Sequence, residues 1–164
     1  MTTNIITTGT ERVLIESALD RSREALIATV RGLSDADARR RLVVSLTTPI
    51  SLIKHAAAAE RIWFQRFWAG LGESECDGYS ERDEGTFAVA DHESLADVIA
   101  EFERASSRSR AIAARFGLDD TKHNPREGTV SMRWTLLAMI EEFARHAGHG
   151  DILREQIDQA PATL

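Results

Sequence analysis

Hydrophobic residues recur along most of the chain at intervals of three and four positions, whereas alternating polar and apolar runs are scarce. This spacing is typical of amphipathic helices. The first long helix is predicted over residues 10–30 and ends before Gly32, and Ser34 then begins a short helical piece. A second long helix is predicted over residues 48–68, because Thr48-Pro49 combines a cap residue with a proline suited to the first helical position.

Two more long helices are predicted in the second half of the chain. Residues 70–90 are acidic and contain glycines, so we expect a loop there, after which Asp91 caps a helix that extends to about residue 116. Residues 117–128 are a second predicted loop, and Ser131 is expected to cap a last helix that ends near residue 157. Four long helices without a linker predict one domain over residues 1–164, with an all-α fold, the antiparallel four-helix bundle.

The charge and the composition exclude several classes of protein. The chain has 164 residues and a net charge of −6, and no basic face stands out, so nucleic-acid binding is not expected. No stretch is apolar enough for a membrane span and no signal peptide is evident, which predicts a cytoplasmic protein. Cys76 is the only cysteine, so an internal disulfide is excluded, and its acidic neighbours disfavour the thiolate that a nucleophile requires.

The last predicted helix carries polar groups in an otherwise apolar stripe. Steps of three and four residues place one set of side chains on a common face: Trp134, Ala138, Glu142, His146, His149 and Leu153. The ends of this stripe are apolar and are expected to face the core. Burying a carboxylate and two imidazoles there without partners would cost several kcal/mol, so the core must contain something that compensates them.

The second helix shows the same anomaly at His55. Its predicted inward side consists of Leu52, His55, Ala59, Ile62 and Trp63. The four alanines that follow His55 leave room for a ligand against the helix. Two helices that each direct such groups into a bundle are typical of metal sites, and imidazole with carboxylate suits Zn²⁺, Ni²⁺, Fe²⁺ or Mn²⁺.

Each of these residues also has a structural interpretation. His55 taken alone is more often a core histidine with satisfied hydrogen bonds, Glu142 could pair with Arg145 or Arg133, and His149 could be an exposed helix residue. The spacing Glu142-x-x-x-His146 within one stripe, together with His55, favours a metal. The motifs of a di-iron carboxylate bundle are missing, so we expect a mononuclear site with His55, Glu142, His146 and His149 as candidate ligands.

Several segments of the chain resemble a known family. They are Ser51-Leu52-Ile53-Lys54-His55, Ala59-Glu60-Arg61-Ile62-Trp63-Phe64, Met132-Arg133-Trp134 and Glu141-Glu142-Phe143-Ala144-Arg145-His146-Ala147-Gly148-His149. In these segments the chain resembles the DinB-like superfamily. Within it, the chain is most similar to the actinobacterial branch related to mycothiol-dependent maleylpyruvate isomerase and mycothiol S-transferases.

The resemblance implies one metal ligand from the second helix and two from the last helix. In the maleylpyruvate isomerase relatives the pair on the last helix is a Glu and a His four residues apart, which corresponds to Glu142 and His146. Arg145 stands four residues before His149, so His149 fits better as a neighbour of the metal or an alternative ligand. Relatives often carry a His at the position of Ala138, and alanine there implies either a more open site or weaker metal binding.

The resemblance also implies a reaction. A divalent metal, most simply zinc and otherwise nickel or iron, would hold a small thiol such as mycothiol as the thiolate, which attacks a small electrophile. No catalytic side chain of the protein itself is then required. Two alternatives stay open from the residues: a metal-binding stress or ligand-binding module without turnover, and a helical dimerisation domain, since a homodimer is compatible with exposed helical faces.

Overall fold

The structure, a computed structural model, describes residues 5–159 and is mostly helical. The predicted domain also includes residues 1–4 and 160–164, which lie outside the described residues. The helices are α1 (Glu11–Val30), α2 (Asp35–Ala38), α3 (Pro49–Glu60), α4 (Leu95–Ala113) and α5 (Met132–Gln159), with a π-helical segment (Arg61–Trp68) directly after α3. Within residues 5–159 no helix is both long enough and apolar enough to cross a membrane.

Helix pairs enclose the core. Helix α1 packs along α5, α3 packs along α4, and α3 also contacts α1 and α5. Side chains from each of the four lie at the centre of this arrangement and are fully buried, among them Leu26, Ile53, Phe102 and Phe143. Burial of such residues stabilises the fold by about 1.5–3 kcal/mol each.

Two predicted helix starts are confirmed by their hydrogen bonds. The Thr48 hydroxyl accepts from the backbone N–H of Ser51, with Pro49 at the first helical position. The Ser131 hydroxyl accepts from the backbone N–H of Trp134. In both cases the side chain satisfies an N–H group that has no partner within the helix.

The predicted start of the third long helix is wrong. Residues Asp91 and His92 form a turn, and helix α4 begins after Ser94, whose hydroxyl accepts from the N–H of Asp97 while the Asp97 carboxylate accepts from the N–H of Ser94. This reciprocal pair satisfies two N–H groups, whereas an aspartate at position 91 would satisfy one. Both residue types favour helix starts, so composition alone does not separate them.

The prediction of an all-α fold needs a further correction. The predicted loop 117–128 and the residues after it form an antiparallel hairpin of β1 (Thr121–Asn124) and β2 (Gly128–Ser131). The buried Asn124 side chain shapes its turn, because it accepts from the backbone N–H groups of Arg126 and Glu127. The predicted loop 70–90 likewise contains two short 3₁₀ helices, Glu73–Glu75 and Glu84–Phe87.

Candidate metal centre

Three of the four predicted ligands come together. Nε2 of His55 on α3 lies 3.0 Å from Oε1 of Glu142 on α5, and Nε2 of His146 lies 3.0 Å from the same oxygen. One ligand atom from each residue lies within 4.8 Å of the others. Donors around a tetrahedral zinc ion are separated by about 3.3 Å, given bonds of roughly 2.0 Å, so the spacing suits a single ion.

His149 lies outside this group. Its side chain is exposed on α5, and its ring centroid is 5.5 Å from that of His146. The ligand set that the described residues bring together therefore consists of His55, Glu142 and His146. The role of His149 as an alternative ligand stays a prediction.

The site lies at the edge of the core and not at its centre. On α5 the fully buried line includes Met139 and Phe143, while the side chains of Glu142 and His146 are 32% and 13% exposed. Trp134, which the stripe predicted to face the core, is 40% exposed. The stripe is therefore displaced from the buried face, and this displacement gives its polar groups access to a cavity.

Thr86 fixes a proton on Nδ1 of His55. The Thr86 hydroxyl donates its only proton to the backbone carbonyl of Asp83 at 2.9 Å, so it accepts from Nδ1–H of His55 at 3.0 Å. In the neutral ring Nε2 then has a bare lone pair and points at the Glu142 carboxylate. A bare lone pair and a carboxylate oxygen do not approach to 3.0 Å unless a second proton or a cation lies between them.

The three residues therefore fit a divalent metal. A neutral imidazole whose far nitrogen is already hydrogen-bonded is the form in which histidine binds metals. Hydrogen bonds from His146 and His55 hold the pKa of Glu142 well below its ordinary value, although burial opposes this shift, so the carboxylate is charged. Nδ1 of His146 is buried and has no partner among the described residues, so Glu142 and packing alone orient that ring.

Phe87 completes the wall around His55. Its ring stacks on the His55 ring at a centroid distance of 4.2 Å and an interplanar angle of 8°. Phe87 and Thr86 belong to the 3₁₀ helix Glu84–Phe87, in the segment predicted as a loop. Nothing in the local sequence marks these two residues, because their position depends on how the loop folds back onto α3.

A cavity of about 420 Å³ adjoins two of the three residues, His55 and Glu142. Its wall includes His55, Ala59, Trp63, Arg82, Arg126 and Glu142. Ala59 thus leaves room beside His55 as predicted, whereas the other three alanines are packed in the core. Cavities of this size hold small organic molecules.

Other polar residues near the ligands in sequence lie on the surface. Arg145 pairs with Glu141, and Arg154 pairs with Asp158, each four residues away on α5. Cys76 is not among the residues that line the cavity.

Comparison with known proteins places the chain in a family. The sequence model described as mycothiol-S-transferase matches residues 14–159. A conserved protein of Enterococcus faecalis has the same fold, with 13% sequence identity and a TM-score of 0.62 over 93% of this chain and 100% of the other. A search of curated proteins gives no significant match. Because this match covers most of the chain, the chain belongs to the mycothiol-S-transferase family, a DinB-like family.

Proposed function

We propose that this protein is a metal-dependent transferase that joins a low-molecular-weight thiol, mycothiol, to a small electrophile. The observation that carries the proposal is the convergence of His55, Glu142 and His146 from two helices, beside a cavity that His55 and Glu142 line. Membership of the mycothiol-S-transferase family supports the thiol and the type of reaction.

His55, Glu142 and His146 would hold the metal, with zinc favoured because two imidazoles and one carboxylate suit it. A bound zinc ion with three protein ligands supplies an open position at which a thiol is stabilised as the thiolate, a strong nucleophile at neutral pH. Thr86 orients His55 by accepting from Nδ1–H, which directs Nε2 toward Glu142. Phe87 and Trp63 form apolar parts of the cavity wall.

We also propose that the long helices form the antiparallel four-helix bundle of DinB-like proteins, with one domain over the whole chain. The packing of α1 along α5 and of α3 along α4 supports this arrangement. In such bundles metal sites are constructed from side chains on facing helices, as His55 on α3 and Glu142 on α5 are here.

Metal analysis of protein purified without a histidine tag tests the site. We expect about one zinc per chain in the wild type and in His149→Ala, and loss of zinc in His55→Ala and His146→Ala. The wild type should then accelerate the reaction of mycothiol with iodoacetamide above the spontaneous rate. His146→Ala, checked for folding by circular dichroism, should not accelerate it.

The outcomes separate three functions. Zinc with thiol-dependent turnover supports the transferase. Zinc without turnover of several alkyl halides, epoxides and unsaturated carbonyls contradicts the transferase and supports a metal-binding module. A folded wild type that binds no divalent metal contradicts both and leaves the helical interaction domain.

A further inference from the structure

Two arginines from distant parts of the chain line the cavity beside His55 and Glu142. Arg82 comes from the segment that precedes the second 3₁₀ helix, and Arg126 comes from the turn of the β-hairpin. Within the described residues neither guanidinium has a hydrogen bond or an ion pair. Most other arginines within residues 5–159 have such a partner, for example Arg66 with Glu81 and Arg61 with Glu101.

Both arginines are held beside the cavity, Arg82 through its side chain and Arg126 through its backbone. The Arg82 guanidinium carbon lies 4.6 Å from the centroid of the Trp63 ring, and stacking on an aromatic face leaves the N–H edge of a guanidinium free to donate. Arg126 is held through its backbone, since its N–H donates to the side chain of the buried Asn124. The hairpin therefore presents a cation to the cavity.

The carboxylates in the cavity wall do not neutralise the two cations. Asp83 accepts from the Tyr79 hydroxyl and from the backbone N–H of Gly85, and Glu142 accepts from two histidines. Glu84 also lines the cavity but is exposed, without an ion pair to either arginine. Burial, and then the nearby charge of Arg126, lower the pKa of Arg82, with Glu127 opposing the shift.

We propose that Arg82 and Arg126 bind a carboxylate of the substrate, so that the cavity accepts small organic acids. The planar fork of a guanidinium matches a carboxylate with two parallel hydrogen bonds, and two such forks select it over a neutral amide. Trp63 and Phe87 provide apolar walls for the remainder of the molecule. The identification of this acid as the electrophile rests on the proposed function, whereas the binding of an acid does not.

Calorimetric titration with benzoate and with benzamide tests the inference without any turnover. The two probes have the same shape and differ in charge. We expect the wild type to bind benzoate more tightly, and Arg82→Gln and Arg126→Gln to weaken benzoate binding about three- to tenfold each while leaving benzamide unchanged. Arg115→Gln is the matched control, because it removes one positive charge above another aromatic ring, that of Phe116, which does not line this cavity.

Three results would overturn the inference. One is equal or undetectable binding of benzoate and benzamide by the wild type, and another is an equal effect of the Arg115 control. The third is loss of benzoate binding in His146→Ala alone, since the carboxylate would then reside at the metal ligands. Neither arginine belongs to the buried core, so their substitution is not expected to disturb it. A protein that binds benzoate through the arginines but does not transfer mycothiol contradicts the proposed function only.

Discussion

The hydroxyl of Thr86 and Nδ1 of His55 lie 3.0 Å apart, although the two residues are 31 positions apart in the chain. The contact makes His55 a donor at Nδ1 and directs Nε2 toward Glu142. A loop residue thus orients a proposed metal ligand on a helix, and the proposed site depends on more than its three candidate ligands.

Replacement of Thr86 by valine should weaken zinc binding. Valine has a similar volume but cannot accept from Nδ1–H, so the neutral ring is no longer held with Nε2 toward Glu142. Loss of such a partner typically reduces metal affinity by about ten- to a hundredfold, which a competition titration against a chelator measures. Thr86→Ser keeps the hydroxyl and should bind zinc as the wild type does. Equal affinity of all three proteins would exclude this role for Thr86.

Two glycines on α5 should respond to alanine in opposite ways. At Gly150 an added Cβ would lie 2.6 Å from Oγ1 of Thr29 on α1, whereas at Gly148 it would meet nothing within 4 Å. Gly150→Ala should therefore destabilise the fold by about 1–3 kcal/mol through overpacking. Gly148→Ala should stabilise it by up to about 1 kcal/mol, because alanine favours the helix. Urea unfolding measures both, and a stabilising Gly150→Ala would contradict the close contact of the two helices.

Removal of the Glu60 carboxylate should be among the costliest single changes. Glu60 is fully buried and accepts from Nε of Arg23 at 2.7 Å and from Ser106 at 3.2 Å. Glu60→Ala leaves the guanidinium of Arg23 buried without this partner. We therefore expect the variant to lose about 3–5 kcal/mol of unfolding free energy. The exposed pair of Glu24 with Arg31 is the control, and Glu24→Ala should cost less than about 1 kcal/mol. Similar losses of unfolding free energy in the two variants would show that the buried pair stabilises the fold no more than the exposed pair does.

Acid should weaken the contact between Asp77 and Arg61. Burial alone would raise the pKa of Asp77, but hydrogen bonds from Arg61 and Gln65 lower it below its ordinary value of 3.8. A lowered carboxyl pKa stabilises the fold above pH 3.8, and this contribution is lost as the pH falls through the pKa of the folded state.

Asp77→Asn should therefore lose less unfolding free energy than the wild type when the pH is lowered from 5 towards 2. Urea unfolding at a series of pH values measures the difference. Parallel curves for the two proteins would mean that Asp77 titrates in the folded state as it does in the unfolded chain.

Features that depend on local sequence could be predicted. The helical spacing, the caps Thr48 and Ser131, and the spacing of Glu142 and His146 act within one or two turns, so a short stretch of chain determines them. His55 was identified because it stands among apolar residues. The same spacing does not distinguish the π-helical turns of residues 61–68 from a continued α-helix. It also does not distinguish Ser94 from Asp91 as the residue that caps α4.

The sequence by itself thus determined a mostly helical protein with candidate ligands on two helices. Only the tertiary structure decided that His55 meets Glu142 across 87 positions of the chain, and that His149 lies exposed outside the group. It also decided that Thr86, Phe87, Arg82 and Arg126 surround the site from two segments predicted as loops. Such contacts depend on how helices pack and loops fold back over them, and no short-range periodicity of the chain encodes that packing.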